Sequence, residues 1–340
     1  MLLRSYKVPL CISLAISCLA HSDTPKPHGN LTFNGLLTTG ASVDNDHKHQ
    51  ERQLCSGCDS GALHFGQASL GLAGYYWASD TETLQVALGS QLNSYSWDDN
   101  PYYTQKQFYE GWLQLGAETK AFEKWTWRSL AQVYADLYDM SSWRGQGLIW
   151  GRYAFSERLG FHIGGYAVAG LEYGRILPIA GLDAALPWDL TLRLIFPLEF
   201  SLIRQHSSSM RYGLAARIFT ARNRFSKQDM PCFCMQYIGS CADSCDTGQD
   251  CGACWPAPCG MVDGQPCLQR YSLDRGYIQY SNYGLEALFN WWPFFFTDLS
   301  VVAGITTVGE LRLSDCNDAR FFHRYFKPTA YGQIALTVYF

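Results

Sequence analysis

Tyr331-Gly332-Gln333-Ile334-Ala335-Leu336-Thr337-Val338-Tyr339-Phe340 is the stretch whose reading decides the fold. One face carries Ile334, Leu336, Val338 and Phe340, and the other carries Gln333, Ala335, Thr337 and Tyr339. A period of two belongs to a strand whose faces meet different surroundings. The period recurs upstream. Leu190, Leu192 and Leu194 alternate with Asp189, Thr191 and Arg193; Tyr212, Leu214, Ala216 and Ile218 alternate with Arg211, Gly213, Ala215 and Arg217; Leu84, Val86 and Leu88 alternate with Gln85, Ala87 and Gly89. Helical spacing would put Arg211 beside Leu214 and mix charge with apolar surface, so the helical reading fails.

Composition says what the two faces meet. The chain has 340 residues with 11 Trp, 21 Tyr and 19 Phe, yet only 16% charged residues. That balance fits strands with hydrocarbon on one side and water or polar protein on the other. An Arg facing lipid at midplane costs about 2–4 kcal/mol, so the charged faces point into a lumen. Counting runs by this rule predicts an all-β, transmembrane, antiparallel up-and-down β-barrel of about fourteen strands. They lie near 31–43, 62–79, 82–97, 107–122, 124–138, 146–155, 158–171, 175–185, 188–196, 198–205, 209–221, 271–290, 297–313 and 326–340. Twelve strands remain open, because the three segments in 175–205 are short.

The connections sort by parity. Short turns alternate with the long connections 44–61, 98–106, 139–145, 222–270 and 314–325, which all fall at the opposite end. Outer-membrane barrels have short periplasmic turns and long extracellular loops, so the long loops are expected outside. Trp77, Trp97, Trp125, Trp143, Trp150, Trp188, Trp291 and Trp292 lie close to strand ends and are expected in interfacial aromatic girdles. At the N-terminus, Arg4 and Lys7 precede the apolar run Val8–Ala20 and then the polar His21-Ser22-Asp23. This reads as a secretory signal peptide over 1–20, with the barrel over 21–340; the run is too short to span a bilayer as a helix. Ala15-Ile16-Ser17-Cys18 loosely resembles a lipidation site. Removing Arg4 and Lys7 leaves 24 basic against 30 acidic groups, or −6, which gives no hint of nucleic acid.

A final strand ending on Phe340, apolar at every second position, resembles the signal by which bacterial outer-membrane barrels engage their assembly machinery. From Gly151 to Ile218 the chain also resembles an uncharacterised family of bacterial outer-membrane barrels. The matching stretches are Gly151-Arg152-Tyr153-Ala154-Phe155-Ser156, Gly164-Gly165-Tyr166, Leu177-Pro178-Ile179-Ala180-Gly181-Leu182, and Pro187-Trp188-Asp189-Leu190 leading to Phe196-Pro197. The resemblance covers about a fifth of the chain and implies a barrel in the outer membrane with no particular activity.

Eleven cysteines follow the signal peptide: Cys55, Cys58, Cys232, Cys234, Cys241, Cys245, Cys251, Cys254, Cys259, Cys267 and Cys316. By parity all sit in outward loops, and thiols on an exported face oxidise to disulfides. Eight of them fall in the extracellular insert 222–270 and allow 105 pairings. An odd total leaves one thiol free or bonded to another molecule. This density resembles the disulfide-linked, cysteine-rich envelopes of certain obligate intracellular bacteria, which implies cross-links to other envelope proteins. Zinc is the competing reading, from His47 and His49 before Cys55-x-x-Cys58 and from Cys251-x-x-Cys254; disulfides compete for the same sulfurs outside the cell.

No catalytic, cofactor or metal residue is singled out, and no enzyme is expected. His64 and His162 are the strand-borne histidines, and His162 reads as a hydrogen-bonding lumen residue. The predicted inward charges are Glu110, Glu118, Arg128, Asp136, Arg152, Arg193, Glu199, Arg211, Arg217, Glu286 and Glu310. Fourteen strands leave an interior wider than side chains alone should fill, and only about ten residues between cleavage site and first strand leave no room for a plug domain. Both points favour a porin-like channel for small solutes. The alternative is a disulfide-stabilised surface, structural or adhesion protein that uses the barrel as an anchor in outer-membrane lipid.

Overall fold

Strand β1 (Gly29–Thr38) closes the sheet on itself: Asn30 stands opposite Tyr339 on one side and opposite Ala73 on the other. The computed structural model describes residues 26–42, 61–98, 103–138, 142–170, 173–226, 232–234, 261–262, 265–266, 270–273, 275–314 and 320–340. After β1 come β2 (Ala62–Trp77), β3 (Glu82–Trp97), β4 (Gln107–Ala121), β5 (Trp125–Asp136), β6 (Trp143–Ala154) and β7 (Leu159–Gly170). Then follow β8 (Tyr173–Leu186), β9 (Leu190–Phe196), β10 (Glu199–Ser207), β11 (Met210–Arg224), β12 (Tyr277–Trp291), β13 (Thr297–Ser314) and β14 (Ala330–Tyr339). Each pairs antiparallel with its chain neighbour, and β14 returns to β1, so the protein is a closed fourteen-strand antiparallel barrel.

Closure leaves no edge, and every ladder is antiparallel, so connections can be tight turns. Those at one end are short: 78–81, 122–124, 155–158, 187–189, 208–209 and 292–296. The hairpin at 187–189 turns without glycine, because Trp188 (φ 65°) and Asp189 (φ 59°) both take positive φ, as a turn matched to the right-handed strand twist requires. At the other end lie all the long connections, together with the short 171–172 and 197–198.

Alternation sets the two faces. On β3, Leu84, Val86 and Leu88 lie exposed on the outer wall while Ala87, Asn93 and Tyr95 are buried inside. Leu113, Leu115, Leu214, Ile305 and Ile334 continue an apolar exterior of a kind that soluble proteins do not leave open to water. Near the short turns, Tyr76, Phe122, Phe155, Trp188, Phe294, Phe295 and Phe340 are exposed aromatics, as an interfacial girdle requires. The expected tryptophan girdle is corrected at two positions: Trp97 and Trp150 are buried, because both sit at inward parity.

Other boundaries also differ from expectation. β11 runs on to Arg224, so the insert starts three residues later than read, and β12 begins at Tyr277 rather than 271. Arg270–Ser272 instead pairs with Cys232–Cys234 outside the barrel. The expected strand 326–340 divides at Pro328, and Arg320–Phe326 forms a separate strand against the upper part of β13. The signal peptide, His47, His49, Cys55, Cys58, Cys241, Cys245, Cys251, Cys254, Cys259, Cys267 and Cys316 lie outside the described residues.

β9 and β10 are the shortest wall strands, with 7 and 9 residues. Phe196 at the top of β9 pairs with Ala180, and Phe200 at the top of β10 pairs with Ala216. Tyr173–Ile179 of β8 and Arg217–Arg224 of β11 therefore rise above this hairpin. Pro178 and Pro197 flank the step, and neither has an N–H to extend a ladder.

Candidate functional site

The lumen is divided into an apolar layer at the long-loop end and a charged cavity below it. In the apolar layer, inward residues of β2–β4 reach across to the opposite wall. The Phe65 ring lies 4.9 Å from Tyr280, 5.0 Å from Phe219 and 5.1 Å from Tyr95. Phe108 meets Phe225 at 5.4 Å, and Trp97 meets Phe322 and Phe326 at 5.8 and 5.9 Å. β2 and β12 are separated round the wall by β1, β14 and β13, so these contacts cross the interior. Leu36, Leu63, Leu311 and Leu313 complete a buried cluster. The expectation that side chains could not fill so wide a barrel fails at this level, because large aromatics occupy the inward positions of both facing walls.

Directly beneath lies a buried polar layer joined by hydrogen bonds. Tyr95 OH donates to Asn223 Oδ1 at 2.7 Å, and Asn93 Nδ2 lies 3.2 Å from both Asn223 Oδ1 and Glu110 Oε2. Gln67 Nε2 donates to Asn93 Oδ1 at 2.8 Å. Glu110 is paired by Arg144 NH2 at 2.8 Å, and the Arg144 guanidinium lies 4.3 Å from the Tyr134 ring centre. Asp136, opposite Glu110 in the ladder, is buried and caps the backbone N–H of Tyr138 at 2.7 Å.

The cavity below has a volume of ≈ 750 Å³. It extends from Lys120, Arg211, Asp298 and Thr337, close to the short turns, up to Leu36 and Phe219 of the apolar layer. Its walls carry Glu118, Arg128, Arg152, Arg193, Glu199, Arg211, Arg217 and Glu286, all predicted to face inward. These charges pair along the wall. Arg128 meets Glu118 at 2.7 Å, Arg193 meets Glu199 at 3.4 Å, and Arg217 meets Glu286 at 3.1 Å. Tyr331 OH donates to the same Glu286 oxygen at 2.7 Å, and Arg211 donates to Asn290 Oδ1 at 3.2 Å.

His162 is the lumen hydrogen-bonding residue expected from sequence. Its Nδ1 accepts from Trp150 Nε1 at 2.7 Å, and its Nε2 lies 2.5 Å from Asp183 Oδ1. Arg152 grips both Asp183 oxygens at 2.7 Å, a bidentate geometry. Gly160 leaves the room for this, since a Cβ there would lie 2.5 Å from Asp183 Oδ1. Asp183, Arg144, Lys120 and Asp298 were not singled out from the sequence. His64 faces outward and is exposed.

Glu310 is a correction. The β12–β13 register passes from Tyr283↔Val308 to Gly284↔Thr306, so Thr307 is an extra residue on β13. A one-residue bulge exchanges the faces of everything beyond it. Gly309, Leu311 and Leu313 therefore point inward, while Glu310 and Arg312 lie on the other face, where His323 Nε2 is 2.6 Å from Glu310 Oε1. In the loop after β3, burial raises the phenol pKa of Tyr103.

Fold and lumen together define a closed barrel with an apolar exterior and a charged interior, resembling bacterial outer-membrane proteins. No protein-family model matches the chain. It is similar to two uncharacterised proteins. One, of Chlamydia pneumoniae, is 28% identical over 35% of this chain and 38% of its own length; the other, of Chlamydia muridarum, is 30% identical over 45% and 48%. The chain thus matches less than half of each curated relative. Among solved structures it is similar to an outer-membrane channel of Pseudomonas putida, with 10% identity, 93% of this chain, 97% of that chain and a TM-score of 0.46. The translocator domain of an autotransporter of Neisseria meningitidis gives 10% identity, 94%, 90% and 0.36. The toluene transporter TodX of P. putida gives 8%, 93%, 91% and 0.36.

Proposed function

We propose that this chain is an outer-membrane barrel whose charged vestibule passes small solutes when the aromatic layer above it gives way. The observation that carries the reading is the ≈ 750 Å³ cavity, ringed with ion pairs and extending to the short-turn end. A barrel that served only to hold a loop in place would need no such volume. The long loops are taken to face the exterior, with the turns in the periplasm.

Planar-bilayer recording on the refolded chain tests this. Discrete steps are expected, and Arg193→Ala or Arg217→Ala should shift the reversal potential toward cation preference, since each removes a fixed positive charge from the lumen wall.

The closed aromatic layer favours a second reading, an anchor whose business lies in its cysteine-rich loop. Silence of the purified chain, together with disulfide-linked oligomers on non-reducing gels from freshly alkylated cells, would favour it. Under either reading the final strand is the contact for the barrel assembly machinery, and removal of Phe340 should slow insertion.

A further inference from the structure

We propose that the lumen also opens sideways, over the short β9–β10 hairpin, and that this window admits an amphiphile with an anionic head and a single hydrocarbon chain. The proposal rests on the membrane-barrel reading above.

Three observations meet at one place. First, β9 is too short for the wall it belongs to. Its 7 residues reach about 23 Å along the strand, and about 18 Å in height at the usual tilt, short of the roughly 25 Å apolar band of an outer-membrane barrel. The hairpin top therefore lies within hydrocarbon. Second, the residues lining the charged cavity are inward-facing or in the 197–198 turn, with three exceptions: Phe200, Ala216 and Ile218. All three are outward residues beside the hairpin top, so here the cavity passes over the lip. Third, a separate groove of ≈ 640 Å³ lies on the outer wall below that lip, lined by Leu194, Leu202, Leu214, Leu285 and Ile305 among others. The groove shares Phe200, Ser201, Ala215, Ala216 and Glu286 with the inner cavity.

A chamber with charged side chains in its wall and an apolar groove that share a rim suit a molecule with two unlike ends. The groove faces the acyl region, and its outward side chains are apolar, aliphatic apart from Phe200 at the rim. Just inside the rim stand the guanidinium groups of Arg193 and Arg217, on the strands that form it. Arg193 faces Glu199 at 3.4 Å and Arg217 faces Glu286 at 3.1 Å, so an anionic head enters by exchanging with those carboxylates. Leu198 and Ile195 supply an apolar path over the rim, packed on the cluster of Leu148, Trp150, Tyr166 and Ile179. A carboxylate and a phosphate monoester can both take the place of those carboxylates on the Arg pair, so a fatty acid and a lysophosphatidic acid are equal expressions of the same chemistry.

The test is photo-crosslinking of the refolded mature chain in nanodiscs. Three probes carry a diazirine on the chain carbons nearest the head, the part that crosses the rim: a fatty acid, a lysophosphatidic acid, and an uncharged monoacylglycerol. Mass spectrometry should find adducts on the inward Arg193, Ile195 or Leu198 with one or both anionic probes, at least about five-fold above the monoacylglycerol. Ala216→Trp should lower the inward adducts at least about five-fold and leave those on Leu113 and Leu115 of the far wall unchanged. Ile218→Trp is the second variant, and heat-modifiable gel mobility verifies that each is folded. Adducts confined to outward residues, inward adducts indifferent to both variants, or equal labelling by the uncharged probe would overturn the proposal. Conductance measured on the same preparation separates the two readings: conduction without inward adducts removes the window and keeps the channel, and inward adducts without conduction do the reverse.

Discussion

Asp183 ties two neighbours together, Arg152 through both oxygens and His162 through one, with Trp150 held behind the imidazole. Asp183→Ala leaves a guanidinium and an imidazole without that acceptor, and should cost about 2–3 kcal/mol, since Arg152 is partly solvated. Asp183→Asn keeps one acceptor oxygen and should cost less than half of that. Urea midpoints of the detergent-folded chain would rank the two, and equal loss would refute the assigned role. At the turn between β2 and β3, Asp80 lies in the open with Lys26 2.5 Å away. The hydrogen bond from Lys26, followed by its charge, holds the Asp80 carboxyl below its ordinary value. A lowered folded-state pKa means that whatever stability the pair adds is present above the ordinary carboxylate value and lost as pH falls through the lowered one. Lys26→Ala should return Asp80 to the ordinary range in an NMR titration. Residue roles of this kind were only half legible in the sequence. Alternation named Glu110, Arg128, Arg193, Arg217 and Glu286 as inward, but their partners come from register, which a single strand does not reveal. Arg144 was lost because its strand was taken to begin two residues later.

At the scale of strands, one inserted residue decides what the upper third of β13 presents to the lumen. Thr307 bulges where β13 exchanges β14 for Arg320–Phe326 as its partner, and its hydroxyl donates to the Tyr283 carbonyl at 3.0 Å. Deleting Thr307 would restore unbroken alternation, turn Leu311 and Leu313 out of the aromatic layer and swing Glu310 and Arg312 into it. Two fully buried leucines would leave their packing, each worth about 2–5 kcal/mol, so the deletion should lower stability by at least about 3 kcal/mol. A urea midpoint near that of the intact chain would contradict the bulge. Strand number and order were legible because hydrocarbon enforces period two on every wall element, as Leu84, Val86 and Leu88 illustrate. The bulge was not legible, since Thr306-Thr307-Val308 carries no mark of where pairing slips. The short β9–β10 hairpin could be read from Pro178 and Pro197 only as a local interruption, and its height matters solely in relation to β8 and β11 beside it.

For the whole molecule, the question is whether the aromatic layer closes a path or merely stabilises the wall. Phe65 and Tyr280 decide it, since their rings stack across the lumen from walls that are not neighbours. Truncating each to Ala should cost about 3–5 kcal/mol if the layer is an ordinary core. Removing both also takes out the stacked pair that joins the two walls, and in a water-filled barrel the space left would hydrate, because the Asn93, Asn223 and Glu110 layer directly beneath offers hydrogen bonds to entering water. The double variant Phe65→Ala/Tyr280→Ala is therefore expected to raise single-channel conductance several-fold over the parent chain. Trp150→Ala supplies the control. It makes a comparable loss in an apolar cluster that lies on one wall of the cavity below the layer, so it should destabilise the barrel while the intact aromatic layer continues to limit conductance. Folded double variants no more conductive than the Trp150 control would place the closure elsewhere or remove the pore altogether, and the barrel would then be an anchor with a charged interior.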